Sequence, residues 1–179
     1  QTPLDNRPSD IGRLAELGSE GVLLLLGDST NAERPGVTPS ERTVGAALRD
    51  IVRQAQGRVI VTSFASHIHR IQQVIDAAAA CGRIVSVIGR SMNRNLNIAR
   101  NLGYATVPDD LLVKARRLEE FMPHETLIIC TGSQGEPRSA LTRIAFGDHP
   151  AVQINSMDTV VVSARAIPGN EVKVHETVN

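Results

Sequence analysis

Four short polar stretches hold the residues of this chain best suited to chemistry. They are Gly27-Asp28-Ser29-Thr30-Asn31-Ala32-Glu33, Thr62-Ser63-Phe64-Ala65-Ser66-His67, Gly89-Arg90-Ser91-Met92 and Thr131-Gly132-Ser133-Gln134-Gly135-Glu136-Pro137. Each follows an apolar run, and three lead straight into a helix start. Free backbone N–H groups and the positive end of a helix dipole at such a place suit phosphate or carboxylate. For any single loop the plainer reading is preferred, because Ser or Thr before a helix is most often a cap and Gly after a strand most often a turn. Four such loops on one edge, with Arg90 among them, favour an edge that binds a polyanion. If the loops are functional, Arg90, Arg94 and Arg138 extend a phosphate track; otherwise Arg94, Arg100, Arg138 and Arg143 form a solvated face.

Asp28 at a strand terminus has the chemistry of a ligand, a base or a phospho-acceptor. The commoner fate of such a residue is a hydrogen bond to its own loop through Ser29 and Thr30. His67 and His69 form an H-x-H pair, but residues two apart at a helix start point to different faces, and no second cluster of His, Asp or Cys follows. A metal site within the chain is therefore not expected. His124, His149 and His175 stand alone and read as loop or surface residues. Lys114 to Arg117 followed by Glu119 and Glu120 reads as a mixed-charge surface helix.

The elements that must position these loops alternate in type. Strand-like runs lie at Val22 to Leu26, Val59 to Val61, Ile84 to Ile88, Leu127 to Cys130, Ala151 to Ile154 and Val160 to Val162. Most are continuous rather than alternating, as in strands buried on both faces. Between them, Thr38-Pro39-Ser40-Glu41 predicts a capping box with Thr38 at the N-cap and Pro39 at the first helical position. Ser66 and Ser91 are expected to cap the next two helices, the second stopped by Gly103. Asp109 opens a short helix through Leu112, Ala115 and Leu118, and Pro137 another that Gly147 closes. Weaker helical patterns cover Ser9 to Leu17 and Gly169 to Val178. Strand followed by helix throughout predicts an α/β fold, a three-layer αβα sandwich with a mostly parallel, Rossmann-like sheet. With no repeat, low-complexity tract or linker, residues 1–179 are expected to form one domain.

Composition narrows the class. With 41% hydrophobic and 21% charged residues the chain is an ordinary globular one, and with 2% aromatics and no Trp its core is built from Ala, Val, Ile and Leu. A formal net charge of zero announces no nucleic-acid binder, although local placement of charge matters more than the sum. Cys81 and Cys130 read as structural thiols in a reducing cytoplasm. No apolar run approaches the ~20 residues that span a bilayer, and Gln1 to Arg7 lack the layout of a signal peptide. Cytoplasmic location, no membrane partner, and a segment belonging to a longer polypeptide are the expectations.

Taken in order, the motifs resemble a known family. Leu-Leu-Leu-Gly-Asp28-Ser-Thr-Asn-Ala-Glu33, Thr-Ser-Phe-Ala-Ser66-His67-Ile-His-Arg, Gly-Arg90-Ser-Met, Thr-Gly-Ser-Gln-Gly-Glu136-Pro and Ile167-Pro-Gly-Asn-Glu171 together are similar to the β-CASP domain of bacterial ribonuclease J. Each motif is weak alone; five in register are specific, and the likeness covers practically the whole chain. The resemblance implies a β-CASP domain inserted into a metallo-β-lactamase-like domain of the same polypeptide, the two closing on single-stranded RNA. It implies a parent that is a zinc-dependent ribonuclease, 5′-to-3′ exonuclease and endonuclease, working as a homo-oligomer in RNA maturation and decay. Asp28 would fall on the acidic residue of motif A, which supports the metal-site histidines. Ser63, Phe64, Ser66, His67, Arg90, Ser91, Thr131, Ser133, Gln134 and Glu136 would face the RNA. The H-x-H-x-D-H metal signature of the family and its later histidine motifs do not occur in the 179 residues. Zinc is thus expected in the parent and not here, and hydrolysis by this segment alone is not expected.

Two readings compete. A stand-alone phosphate-binding or receiver-like module, with Asp28 as phospho-acceptor and Ser63 or Ser133 as switch hydroxyl, would need an acidic cluster after the first strand and a Lys after a late one. Only Asp28 and Glu33 are near, and Lys114 follows no strand. A purely structural domain, its polar loops all caps, predicts no retention of RNA at any salt.

Overall fold

The computed structural model describes residues 4–27, 32–33 and 35–179. The chain divides into two compact units, 1–43 and 44–179. The first contains helix α1 (Ile11–Glu20), capped by Asp10, whose side chain accepts from the Arg13 N–H. The second contains the sheet and its covering helices.

In order, the remaining elements are α2 (Arg42–Gln54), β1 (Val59–Thr62), α3 (Ile68–Ala80), β2 (Ile84–Ile88), α4 (Arg90–Asn101), β3 (Leu112–Val113), β4 (Thr126–Cys130), α5 (Ala140–Ala145), β5 (Thr159–Val162) and α6 (Glu171–Val178). Two 3₁₀ turns, Ala115–Glu120 and Pro123–Glu125, lie between β3 and β4. Among the described residues five strands form one sheet in the order β3-β2-β4-β1-β5, every pair parallel. The expected three-layer αβα sandwich is therefore the fold, with β4 at its centre.

Side-chain alternation explains why the strands read as continuous apolar runs. Val59, Val61, Leu127 and Ile129 face one layer, packed with Leu48 and Val52 of α2, Ile71, Val74 and Ile75 of α3 and Met92 and Leu96 of α4. Ile60, Ile128 and Cys130 face the other, against Leu118, Ala140, Leu141, Ile144 and Val152. Successive residues point to opposite faces and both faces are covered, so both sets are predominantly apolar.

Several element boundaries differ from the sequence-based expectation, each for a local reason. Residues 22–26 form no strand: the five strands all lie within 59–162, and Leu23 is fully exposed. An apolar run becomes a strand only where a neighbour takes its N–H and C=O groups. Ala151 to Ile154, which follows Pro150, is likewise not a strand; Val152 alone is buried, as a plug on the second face. The helix predicted from Asp109 is instead β3 and a 3₁₀ turn, because Leu112 and Val113 pair with Val85 and Ser86 along the free edge of β2. Helix α2 begins at Arg42 rather than Pro39: Ser40 Oγ accepts from Arg42 N at 3.4 Å and Ser40 O from Thr43 N at 3.1 Å. The caps of α3 and α4 are His67 and Gly89, not Ser66 and Ser91, and α5 starts at Ala140 behind its cap Ser139 rather than at Pro137. Gly103 does end α4, with Tyr104 N donating to Ala99 O and Gly103 N to Arg100 O, the paired bonds of a left-handed C-terminal cap.

At the amino ends of the strands sits a buried cation, Arg83, to which the sequence alone gave no role. Arg83, 5% exposed, donates to Gly57 O at 2.7 Å, Ala55 O at 2.6 Å and Thr126 O at 3.4 Å. One side chain thereby ties the end of α2 to the starts of β1 and β4. Burial draws its pKa below the ordinary guanidinium value, partly countered by Cys81.

Both cysteines are free thiols, Cys81 half-buried and Cys130 buried at the end of β4. Burial pushes the Cys130 thiol up to about 12, against a smaller lowering by Thr62. The thiolate is the reactive form, so iodoacetamide at pH ~8 is expected to label Cys81 in the native chain and Cys130 only after unfolding. Peptide mapping by mass spectrometry reads this directly; native labelling of Cys130 would contradict the packing of that face.

Candidate nucleic-acid interface

In a parallel sheet all strand ends of one polarity share an edge, and ligands collect beyond the carboxyl ends. Beyond β2 and β4 that edge opens into a cleft of about 790 Å³. Gly89, Arg90, Ser91, Arg94 and Asn95 line it from the start of α4; Thr131, Arg138, Ala140 and Arg143 line it from the β4–α5 segment, and His149 from the turn after α5. Four arginines and no carboxylate therefore meet in one concavity. Among the described residues no Asp or Glu pairs with any of the four, whereas Arg13, Arg53, Arg100 and Arg117 each hold a carboxylate. Gly89 gives α4 no side-chain cap, so its first-turn N–H groups add the positive end of a twelve-residue helix.

Local backbone chemistry sets the shape of the cleft. Gly89 has φ 116°, and a Cβ there would lie 2.7 Å from the Thr131 side chain. Thr131 in turn receives Ala140 N on its Oγ1 at 3.3 Å and Leu141 N on its carbonyl at 2.9 Å, and donates its own N–H to Ile88 O at 3.3 Å. The floor is thus a contact between two turns that only a glycine permits. After α5, Gly147 N and Asp148 N close the helix on Ile144 O and Arg143 O, and Arg143 Nη2 returns to Asp148 O at 2.8 Å. This reversal brings His149 to the cleft. Burial, followed by the charge of Arg143, holds the His149 imidazole below its ordinary value.

Of the residues singled out from the sequence, Arg90, Ser91 and Thr131 come together in the cleft, with Arg94, Arg138 and Arg143. The other described ones do not line it. Asp28 is outside the described residues. Ser63 is buried at the end of β1 with no hydrogen-bond partner for its hydroxyl among the described residues, while Phe64 is half-buried and Ser66 exposed. His67 caps α3, its Nδ1 accepting from Arg70 N at 3.4 Å, and Arg70 reaches across to Ser163 O and Oγ at 3.0 and 2.6 Å. Ser133 is buried. Gln134 is a clamp: Nε2 donates to Ser133 O and Arg165 O at 3.0 and 2.9 Å, and Oε1 accepts from Ile167 N at 2.7 Å. Glu136 accepts from Gln134 N at 3.1 Å. The fourth and fifth sequence motifs are thereby fastened to each other. Gly135 sits so close to α6 that a Cβ would lie 2.4 Å from the Lys173 backbone.

Asn95 and His149 carried no site reading in the sequence. Asn95 donates to Ala65 O at 2.9 Å, joining the β1–α3 loop to the cleft wall. Nothing in the spacing of Asn95 from Ser91 and Arg94 along α4 signals that contact, whereas Gly147 marks the reversal that positions His149. Among the described residues no group of three or more His, Cys, Asp or Glu comes together to hold a metal ion, and no helix is long and apolar enough to cross a membrane.

Comparison with known proteins matches residues 56–179, the whole of the sheet, to the family model described as "Ribonuclease J, beta-CASP domain". The chain belongs to the β-CASP domain family of ribonuclease J. Relatives of this β-CASP domain include the Ribonuclease J of Mycolicibacterium smegmatis, 48% identical over 179 residues, which are 100% of this chain and 32% of that protein. The Ribonuclease J of Helicobacter pylori strain J99 is 47% identical over 99% of the chain and 26% of its own length. Ribonuclease J2 of Bacillus subtilis is 46% identical over 100% of the chain and 32% of its own. The β-CASP chain thus spans a third or less of the curated relatives it matches.

Proposed function

We propose that the arginine cleft holds the sugar-phosphate backbone of single-stranded RNA, as one wall of a channel that a metallo-β-lactamase-like domain of a longer polypeptide completes. The observation that carries this reading is the convergence of Arg90, Arg94, Arg138 and Arg143 with the uncapped start of α4 and no opposing carboxylate. Guanidinium groups match phosphate in pairs of parallel hydrogen bonds, and a row of them outside parallel strands suits a chain of phosphates better than one small anion. The names of the relatives, each a Ribonuclease J, support RNA as the polyanion. The exonucleolytic and endonucleolytic hydrolysis belongs, on this reading, to a cytoplasmic, homo-oligomeric parent using zinc. The described residues supply charge and shape, and no hydrolytic step is assigned to them.

Fluorescence titration of a labelled single-stranded RNA with the 179-residue chain tests the reading. Binding is expected at low salt and should weaken log-linearly as salt rises, with a slope of about 0.7 per phosphate neutralised. Arg90→Ala should lower affinity similarly for all base sequences and reduce that slope by about one contact. No binding at low salt, or binding indifferent to Arg90, rejects the proposal.

A further inference from the structure

We infer that His149 is a direct ligand of the phosphate held in the arginine cleft, and that anion binding there is coupled to uptake of a proton by its imidazole. The inference rests on the phosphate-binding reading above and deepens it. His149 lines the cleft and is half-buried. Its Nδ1 accepts from Ala151 N at 3.3 Å, which favours the neutral tautomer with hydrogen on Nε2 and leaves Nε2 as the donor toward a ligand. The Ala151 bond is long, so surrendering it on protonation costs little.

The charged groups that line the cleft with His149 are all cationic: Arg90 and Arg94 from α4, Arg138 from the segment before α5, and Arg143 from α5, whose charge is the one that acts on the ring. Asp148, next in the chain, is exposed and engages Arg143 through its backbone carbonyl. With the cleft empty, an imidazolium would be a fifth cation beside four, and burial and Arg143 already disfavour it. A phosphodiester or sulfate reverses the local sign and favours the charged ring. The imidazole pKa is then higher in the complex than in the free chain. By linkage, affinity is flat above the pKa of the complex, rises as pH falls through it, and levels off below that of the free chain. Arginines keep their protons throughout this range, and the anions named do not titrate there. Among the described residues lining the cleft, His149 is the group that does.

Calorimetric titration of the full 179-residue chain between pH ~5.5 and ~8, in two buffers of different ionisation enthalpy, reads proton uptake directly. The probes are sodium sulfate and a single-stranded oligouridylate with hydroxyl ends. Proton uptake and an affinity gain of up to about tenfold on acidification are expected. His149→Gln keeps a side-chain N–H donor but cannot titrate, so affinity should fall to the high-pH level of the wild type at every pH, and proton uptake and pH dependence should disappear. Wild-type binding without uptake, or uptake that survives in H149Q, overturns the inference. RNA binding that depends on Arg90 but is flat with pH sinks only this inference. Sulfate binding with uptake but no RNA binding sinks only the RNA reading. Binding of neither probe sinks both.

Discussion

Replacing Arg83 by Ala is expected to lower the stability of the chain by about 3 kcal/mol, the sum of two good hydrogen bonds from a charged donor at the low end of their range. Three carbonyls lose a donor at once. Gly57 O and Thr126 O stand at the amino ends of neighbouring strands, and Ala55 O closes α2. A carbonyl left unsatisfied away from water carries its desolvation cost into the folded state. The partners of the guanidinium are these carbonyls, so their dipoles hold the charge. Arg83→Lys brings one ammonium where a planar fork reached several acceptors, and should recover part of the loss. Urea unfolding followed by circular dichroism is the measurement: the midpoint should fall in the order wild type, R83K, R83A, with the slope unchanged. A wild-type midpoint in R83A would mean that water satisfies those carbonyls, and that the latch adds nothing.

Substituting Gly89 by Ala is expected to cost about 3 kcal/mol and to disorganise the cleft, on two grounds. The backbone at φ 116° and ψ 133° lies in a region essentially reserved for glycine, a cost of about 1–3 kcal/mol for another residue. The added Cβ also meets Thr131 Cγ2 and Oγ1, each at 2.7 Å, and overpacking of this kind typically costs a further ~1–3 kcal/mol. Thr131 has little room to yield, because its main chain and hydroxyl hold Ile88 on one side and Ala140 and Leu141 on the other. Relief must therefore come from separating the β2–α4 turn from the β4–α5 segment, which are the two walls bearing the arginines. Thermal unfolding reads the stability, and RNA titration under folding conditions reads the cleft. Full-affinity binding by a folded G89A chain would show that the turn contact does not set the cleft.

How much of this was legible in the sequence depends on the range of the interaction. The sheet was readable because β1 and β4 are buried at every position and apolar at nearly every one, a pattern that two covered faces require. Residues 22–26 carry the same pattern and form no strand, since periodicity records a demand for burial without naming the neighbour that meets it. Leu112 and Val113 show the converse: two residues of unremarkable pattern become a strand because the edge of β2 is open to them. Helix starts lie one to three residues from their predicted places for a similar reason; His67 competes with Ser66, and the ring nitrogen reaches the Arg70 N–H.

The cleft was legible by half. Strand-end polarity places Arg90, Ser91 and Thr131 on one edge from sequence alone. Whether their neighbours were functional or merely solvated could not be decided from spacing, because Arg143 comes to the cleft from α5 and His149 through the chain reversal after it. Gln134 shares a motif with Thr131, yet its amide is spent on Arg165 and Ile167 across more than thirty residues. A motif fixes which residues travel together; it does not separate those that touch a ligand from those that hold the loop.

The contact between Gly89 and Thr131 has a consequence for how the cleft can vary. Its outline is written in main-chain turns, whereas its charge is carried by arginine side chains that the core does not need. Shape and charge are therefore independent settings. Arg90, Arg94 and Arg138 can be exchanged one at a time to retune selectivity or salt tolerance while the scaffold stays as it is, whereas Arg143 also holds Asp148 O, a division that makes this edge a ready platform for graded redesign of polyanion grip.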